Sequence, residues 1–321
     1  MQENCRINPV WLLLGGVALL GASPIFVRII PTDPVATAAW RMLFALPFSM
    51  GLYYLMPHTD KSAVPVRKAK GRAIVMALLA GISLALNLAL WSIAVREISI
   101  ATATLLDNMA PVAIAPLAWW LFGERPTRQL VLGLSVAIVG ATLLCGVAGN
   151  SGPTTGNALL GTSAAIIAAV LYAAYFIFLK LADRHGLPSR QLLWLANLGA
   201  TLTLLPLMLL EGGNWLPGSW SGWVAILAYA LVVQAWGQGW VGQGFARLPS
   251  GPASLALLLQ PIFSALLAWL LLSEQMGGLE ILGGILVLLG LAGGSGAIKW
   301  SVINRGWLAH QNLQTRPTTP D

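Results

Sequence analysis

Long apolar runs fill this chain, and short polar or turn-forming stretches interrupt them at near-regular intervals. Ten runs approach the roughly 20 residues that a helix needs to cross a bilayer. They lie near 10–30, 35–56, 73–95, 99–122, 128–147, 157–180, 191–210, 220–245, 252–272 and 278–298. Between them stand turn signals such as Pro31-Thr-Asp-Pro34, Gly123-Glu-Arg-Pro126, Asn150-Ser-Gly-Pro153, Gly212-Gly-Asn214 and Pro249-Ser-Gly-Pro252. The first run is too long for a removable signal peptide and lacks a small-residue cleavage site with a soluble sequel. The pattern predicts an all-α polytopic membrane protein with ten transmembrane helices.

Composition agrees. Hydrophobic residues make up 57% of the 321 and charged residues 9%, with mean hydropathy +0.76; a soluble domain carries about 25% charged residues. The sequence pI near 9.9 would fit a nucleic-acid binder, but the placement of the charges gives a simpler reason. With the N-terminus inside, every lysine and arginine except Arg28, Arg41 and Arg96 falls on the cytoplasmic side, and the 57–72 loop carries five of them. Both termini are then cytoplasmic, and neither nucleic acid nor nucleotide is needed as a partner. Arg28 and Arg41 flank an outer connection and read as interface anchors. Cys5 and Cys145 suggest neither a disulfide framework nor a metal site, and the histidines at 58, 185 and 310 lie in polar connections. No cofactor is implied.

The chain also repeats itself. Residues 101–124 and 251–274 align without a gap, sharing Pro111/Pro261, Trp119/Trp269 and Glu124/Glu274 in phase with several alanines and leucines. Five spans per copy is an odd number, so the second copy enters the membrane from the opposite side. The expected organisation is a first five-helix repeat over 1–148, an inverted second repeat over 149–300 and a polar cytoplasmic tail over 301–321. Inverted repeats of this kind place a substrate site near the bilayer midplane, between the halves.

Ten spans, Gly21-Ala-Ser-Pro24 in the first, Trp40-Arg41-Met42 at the start of the second and the duplicated Pro…Leu-Ala-Trp…Glu together resemble the EamA-type transporters of the drug/metabolite transporter superfamily. Within it the chain is most similar to the YddG-type exporters of aromatic amino acids. The resemblance covers about 10–298. It implies an alternating-access carrier in the cytoplasmic (bacterial inner) membrane, with a central cavity lined by helices one, three, four, six, eight and nine.

Few polar residues interrupt the apolar runs. Asp107 is the one acid well inside a span, where an ionised carboxylate costs roughly 2.5–3.5 kcal/mol on insertion scales. It could bind a substrate ammonium, take up a proton, or hold helix four against a neighbour; its repeat twin is Leu257. Asn87 and Trp91 share one face of helix three, fit for substrate contact or for an interhelical hydrogen bond. Helix eight reads Gln234-Ala-Trp-Gly-Gln-Gly-Trp-Val-Gly-Gln-Gly-Phe245. Gln234 and Gln238 share one face of it, and Trp236, Trp240 and Gln243 another. These side chains describe a cavity wall that meets water or an amphipathic substrate, or a tightly packed seam. Gly237 and Gly239 allow close approach or a gating bend. The G-x-G-x-x-G at 237–242 is no dinucleotide fingerprint, since no strand precedes it. Tyr172 and Tyr175, with Phe176, could stack on a substrate or belong to the core. Gln260 stands beside Pro261 as a candidate ligand. Pro111 and Pro261 each interrupt a helix near its middle and read as paired hinges. Glu124 and Glu274 end their helices, either favouring the next helix N-terminus or closing a gate.

The leading expectation is a secondary transporter, and not an enzyme, that exports small amphipathic metabolites, most of all amino acids including aromatic ones. Its partners are that small-molecule substrate, the lipid bilayer and, as candidate coupling ion, protons, with Asp107 the proton site. With no lysine or arginine assigned to membrane depth, selectivity should be loose. A cationic-drug exporter is the alternative, although 10–30 holds no carboxylate. An intramembrane enzyme is remote: Ser83 has no histidine at its depth and a metal-dependent transferase would need clustered acids.

Overall fold

The computed structural model describes residues 8–55, 70–98, 100–145, 157–272 and 277–294, and among these there are helices and turns but no strand. A helix lies over each of the ten expected segments. They are α1 (Pro9–Leu20 and Ser23–Ile29), α2 (Pro34–Leu55), α3 (Lys70–Glu97), α4 (Ile100–Asp107 and Ala110–Phe122), α5 (Arg128–Leu144), α6 (Ala158–Arg184), α7 (Ser189–Glu211), α8 (Trp220–Tyr229, Ala230–Gln238 and Gly239–Arg247), α9 (Ser250–Leu257 and Gln260–Leu272) and α10 (Gly278–Gly294). Seven of them (α1, α3, α4, α6, α7, α8 and α9) are long and apolar enough to cross a membrane; α5 and α10 are shorter apolar helices. Large side chains such as Trp120, Leu159, Leu210 and Leu289 stand exposed on the outside. In water such a surface would aggregate; in lipid it is the expected exterior. Glu274, most of the basic 57–72 loop and the 301–321 tail lie outside the described residues.

Local chemistry sets the helix ends. Asn157 caps α6 by accepting from the Leu159 and Leu160 amides, Thr127 caps α5 through Leu130, and Ser219 caps α8 through Gly222. Gly123 ends α4 at φ 69°, a left-handed position that costs a glycine little. The chain thereby turns back so that Glu124 faces the bundle.

The breaks in α4 and α9 fall at the same point of the duplicated sequence, Asn108-Met109 and Leu258-Leu259. Pro111 and Pro261 follow at the second position of the resumed helices. Proline has no N–H to give the carbonyl four residues back, so the ladder tightens there: Met109 donates to Leu106 and Leu258 to Leu255, three residues back rather than four. Pro24 accompanies a similar break in α1 at Gly21-Ala22.

Helices from the two halves interleave. The most extensive neighbours are α3 with α6, α5 with α10, α3 with α7, and α1 with α8, joined by α2 with α7, α2 with α8 and α4 with α9. Exchanging each helix for the one five places along turns α3·α6 into α8·α1 and α3·α7 into α8·α2, and leaves α2·α7, α4·α9 and α5·α10 unchanged. Glycines permit the closest crossings. A Cβ on Gly140 would stand 2.6 Å from the Gly283 carbonyl oxygen, so α5 and α10 meet backbone to backbone.

Candidate functional site

Polar side chains collect inside the bundle around the α4 break. Asn87 of α3 is 2% exposed and spends both amide hydrogens, one on Asp107 Oδ1 at 2.6 Å and one on the Ala168 carbonyl of α6 at 2.9 Å. Asp107 is the last residue of the first α4 segment, where the proline-enforced interruption turns the carboxyl towards α3. The two candidates therefore meet directly, tying three helices together. Trp91 is half-buried one turn further along α3.

Tyr172 and Tyr175 continue this layer on α6. Their rings stack at 6.0 Å, and Phe176 lies 4.9 Å from each before meeting Phe245 of α8 at 4.6 Å. The Gln238 amide faces both tyrosine hydroxyls. Gln238 is 5% exposed, and its Nε2 has no hydrogen-bond partner. An unpaired buried amide costs about 1–3 kcal/mol, so an open donor here is a notable feature.

Gln234, one turn before it, has a different role. It donates to Asn197 of α7 at 3.0 Å, and Asn197 donates to Ser49 of α2 at 3.2 Å. Gln234 therefore belongs to an interhelical tie rather than to the tyrosine layer. The backbone between Ala230 and Gln238 is a nine-residue π-helix, which the sequence reading did not anticipate. Such wide turns are rare and gather at functional sites. Trp236 packs edge-on against Phe48 of α2 at 6.1 Å, and Trp240 lies over Gly15 of α1; both keep a third or more of their surface exposed. Gly237 is pressed against α1, where a Cβ would meet Leu19 at 3.1 Å, whereas Gly239 has room, its nearest neighbour being Leu193 at 3.6 Å. Gln260 is half-buried at the start of the resumed α9 helix.

Arg41 departs from its expected place as an interface anchor. Arg28 is exposed, but Arg41 is 6% exposed inside the bundle. Its Nη1 donates to the Tyr229 hydroxyl of α8 at 2.6 Å, and its guanidinium lies 4.8 Å from the centre of that ring. Tyr229 also shares a 2.6 Å hydrogen bond with Ser23 at the α1 break and stacks on Phe26. The charges of Arg41 and Asp107 both reach Tyr172. Sequence reasoning placed neither lysine nor arginine at depth, yet the neighbours of Arg41 carried a signal. Ala38, Met42 and Ala45, on the same side of α2, are all apolar and all buried.

A second cluster closes one end of the bundle. Lys180 of α6, 4% exposed, donates to Glu124 at 2.7 Å, to the Leu248 carbonyl at 2.9 Å and to Ser250 Oγ at 2.7 Å. Glu124 also accepts from the Ser250 amide at 2.8 Å and pairs with Arg184 at 3.2 Å. Burial pushes the Glu124 carboxyl up, but the hydrogen bonds from Lys180 and Ser250 outweigh it and hold the group below its ordinary value. At the other end, Asp33 accepts from the Asn214 amide at 2.7 Å, Arg96 pairs with Glu211 at 2.6 Å, and Glu97 accepts from the Asn157 amide at 2.6 Å.

Residues 8–146 and 159–295 each match the EamA-like transporter family. An uncharacterized transporter of Archaeoglobus fulgidus is 24% identical over 289 residues, which span 89% of this chain and 95% of that protein. A probable terminal-alkyne amino-acid exporter of Streptantibioticus cattleyicolor is 32% identical over 201 residues, 60% of this chain and 62% of its own. Among solved crystal structures, one chain superposes with a TM-score of 0.71 at 18% identity, covering 89% of this chain and 96% of that one, which shows a shared fold. The two halves each match one transporter family, so the chain is a transporter and not an enzyme. The chain belongs to the EamA-like transporter family and is a multi-pass transporter of the cytoplasmic membrane.

Proposed function

We propose that this protein is a secondary carrier that exports small amphipathic metabolites, chiefly amino acids including aromatic ones as in YddG-type exporters. It would work by alternating access between two inverted five-helix repeats, 1–148 and 149–300. The observation that carries the substrate class is the polar layer itself. Asp107 and Asn87 suit an ammonium, Gln238 faces two tyrosines beside them, and Phe176 and the tyrosines suit an apolar or aromatic side chain. Trp91, Trp236, Trp240 and Gln260 are proposed contacts at its margins. The relative named an amino-acid exporter supports the same class.

Three features support alternating access. The two helix breaks are related by the repeat, the interhelical neighbours obey a two-fold exchange, and opposite ends of the bundle are closed by different polar contacts. Pro111 and Pro261 would be the hinges, with Gly239 the freer of the two glycines. Ten spans are proposed from the ten helices, and the charge bias supports an orientation with both termini cytoplasmic and the Glu124–Lys180–Ser250 latch at the cytoplasmic face. In this conformation the carrier is then shut towards the cytoplasm. Asp107 is the proposed proton site.

The test is efflux from proteoliposomes loaded with labelled phenylalanine or tryptophan, under an imposed pH gradient. Saturable efflux reduced by competing aromatic amino acids is the expected result. Absence of efflux from demonstrably folded protein would remove the amino-acid assignment, and organic cations would be the next substrates to try.

A further inference from the structure

A buried guanidinium is stable only when its charge is answered, and among the described residues no carboxylate answers Arg41. Its Nη1 hydrogen-bonds the Tyr229 hydroxyl. Its Nε is buried without an acceptor, and no carboxylate pairs with it among the described residues. The Nε edge is the side on which arginine receives a carboxylate through two parallel hydrogen bonds. Gln238 presents a second buried, unpartnered donor, and it faces the same tyrosine pair that lies within reach of the Arg41 charge. Two buried donors without a hydrogen-bond partner, one of them cationic, both bordering the Tyr172–Tyr175 layer, describe a receptor for an anionic oxygen pair.

We propose that Arg41 and Gln238 together bind the carboxylate of the transported molecule, at the same polar layer where Asp107 and Asn87 receive its ammonium. This rests on the amino-acid reading above and makes it more specific. The substrate is a zwitterion held at both ends, and an amine lacking the carboxylate is rejected. Tyr229 acts as a positioning residue: its hydroxyl and ring hold the guanidinium with the Nε edge open. Looseness of selection is then confined to the side chain.

The experiment compares phenylalanine, phenethylamine (no carboxylate) and 3-phenylpropionate (no amine) as competitors of labelled phenylalanine efflux in proteoliposomes. For the wild type, phenethylamine is expected to compete at least about tenfold more weakly than phenylalanine. Arg41→Gln should weaken phenylalanine by about tenfold or more while leaving phenethylamine unchanged, so that discrimination disappears. Tyr229→Phe keeps the guanidinium and the ring beside it but removes the hydroxyl that anchors Nη1, so the discrimination should fall only partway, by less than in Arg41→Gln. If Arg41→Gln is not recovered folded, Gln238→Leu carries the same comparison, with a loss of about fivefold for phenylalanine alone.

A wild type that treats phenylalanine and phenethylamine alike, or an Arg41→Gln variant that still tells them apart, overturns the proposal. Should the wild type accept no amino acid, binding of 3-phenylpropionate, read as a rise in melting temperature that Arg41→Gln removes, would preserve the carboxylate receptor while the amino-acid reading falls. Binding of neither would end both.

Discussion

Asn87 holds Asp107 and Ala168 with a single amide nitrogen, so it is the most exacting residue of the polar layer. Asn87→Leu should cost about 1–3 kcal/mol, because it strips the donor from two buried acceptors; thermal unfolding in detergent measures this. Asp107→Asn keeps the size of the side chain and removes the proton. If Asp107 carries the coupling proton, that variant transports without pH dependence, and a pH profile identical to the wild type would exclude the role. At this scale the sequence was partly legible. Asp107 and Asn87 stood out because a polar group in an apolar run needs a partner, but nothing in the linear pattern named each as the other's. Arg41 was misjudged because closeness to a helix end places a residue near the interface only when its face is turned outward. Burial of that face depended on Tyr229, far away in the chain.

Helices were the most legible level, since the length and hydropathy of a run set the element with little help from tertiary context. Their interruptions were legible in kind, because proline removes a donor wherever it stands. The break in each case opens just ahead of the proline rather than at it. Restoring that donor with a Pro111→Ala, Pro261→Ala double variant should straighten α4 and α9. Turnover is expected to drop several-fold with substrate binding retained, as a comparison of efflux rate with equilibrium binding would reveal. The wide turns of α8 were not legible: a run of glycines and glutamines carries no signal that separates a π-helix from an α-helix. Glycine at the α5–α10 crossing gives a further expectation. Gly140→Val puts side-chain atoms where the Gly283 carbonyl lies, and loss of folded protein on size-exclusion chromatography is the predicted result.

For the whole molecule, the latch joins the end of α4 to α6 and to the start of α9. Glu124→Gln keeps a hydrogen-bonding group but leaves Lys180 buried without its counter-charge, which should cost roughly 2 kcal/mol in this conformation. The variant is expected to populate the alternative conformation more, read as increased labelling of a cysteine placed at the Ser250 end. The sign of the pH effect follows from the lowered Glu124 value. The latch is fully formed at and above the ordinary carboxylate range and is lost as pH falls through the depressed value. The stability difference between wild type and Glu124→Gln should therefore shrink as pH falls below the ordinary carboxylate range. Two related halves were legible from the duplicated proline, tryptophan and glutamate. Which charges meet across them was not, because Lys180 and Ser250 answer Glu124 only after folding.

The distribution of partners also bears on how the protein is made. Asn87 and Asp107 emerge together and can satisfy one another early, whereas Arg41 and Glu124 wait for Tyr229, Lys180 and Ser250, all of them translated later. A nascent first half thus enters the bilayer with a guanidinium and a carboxylate still unmatched, a state that chaperones or proteases would notice. Produced as two separate polypeptides, the first half should be degraded when alone and persist when its companion is supplied.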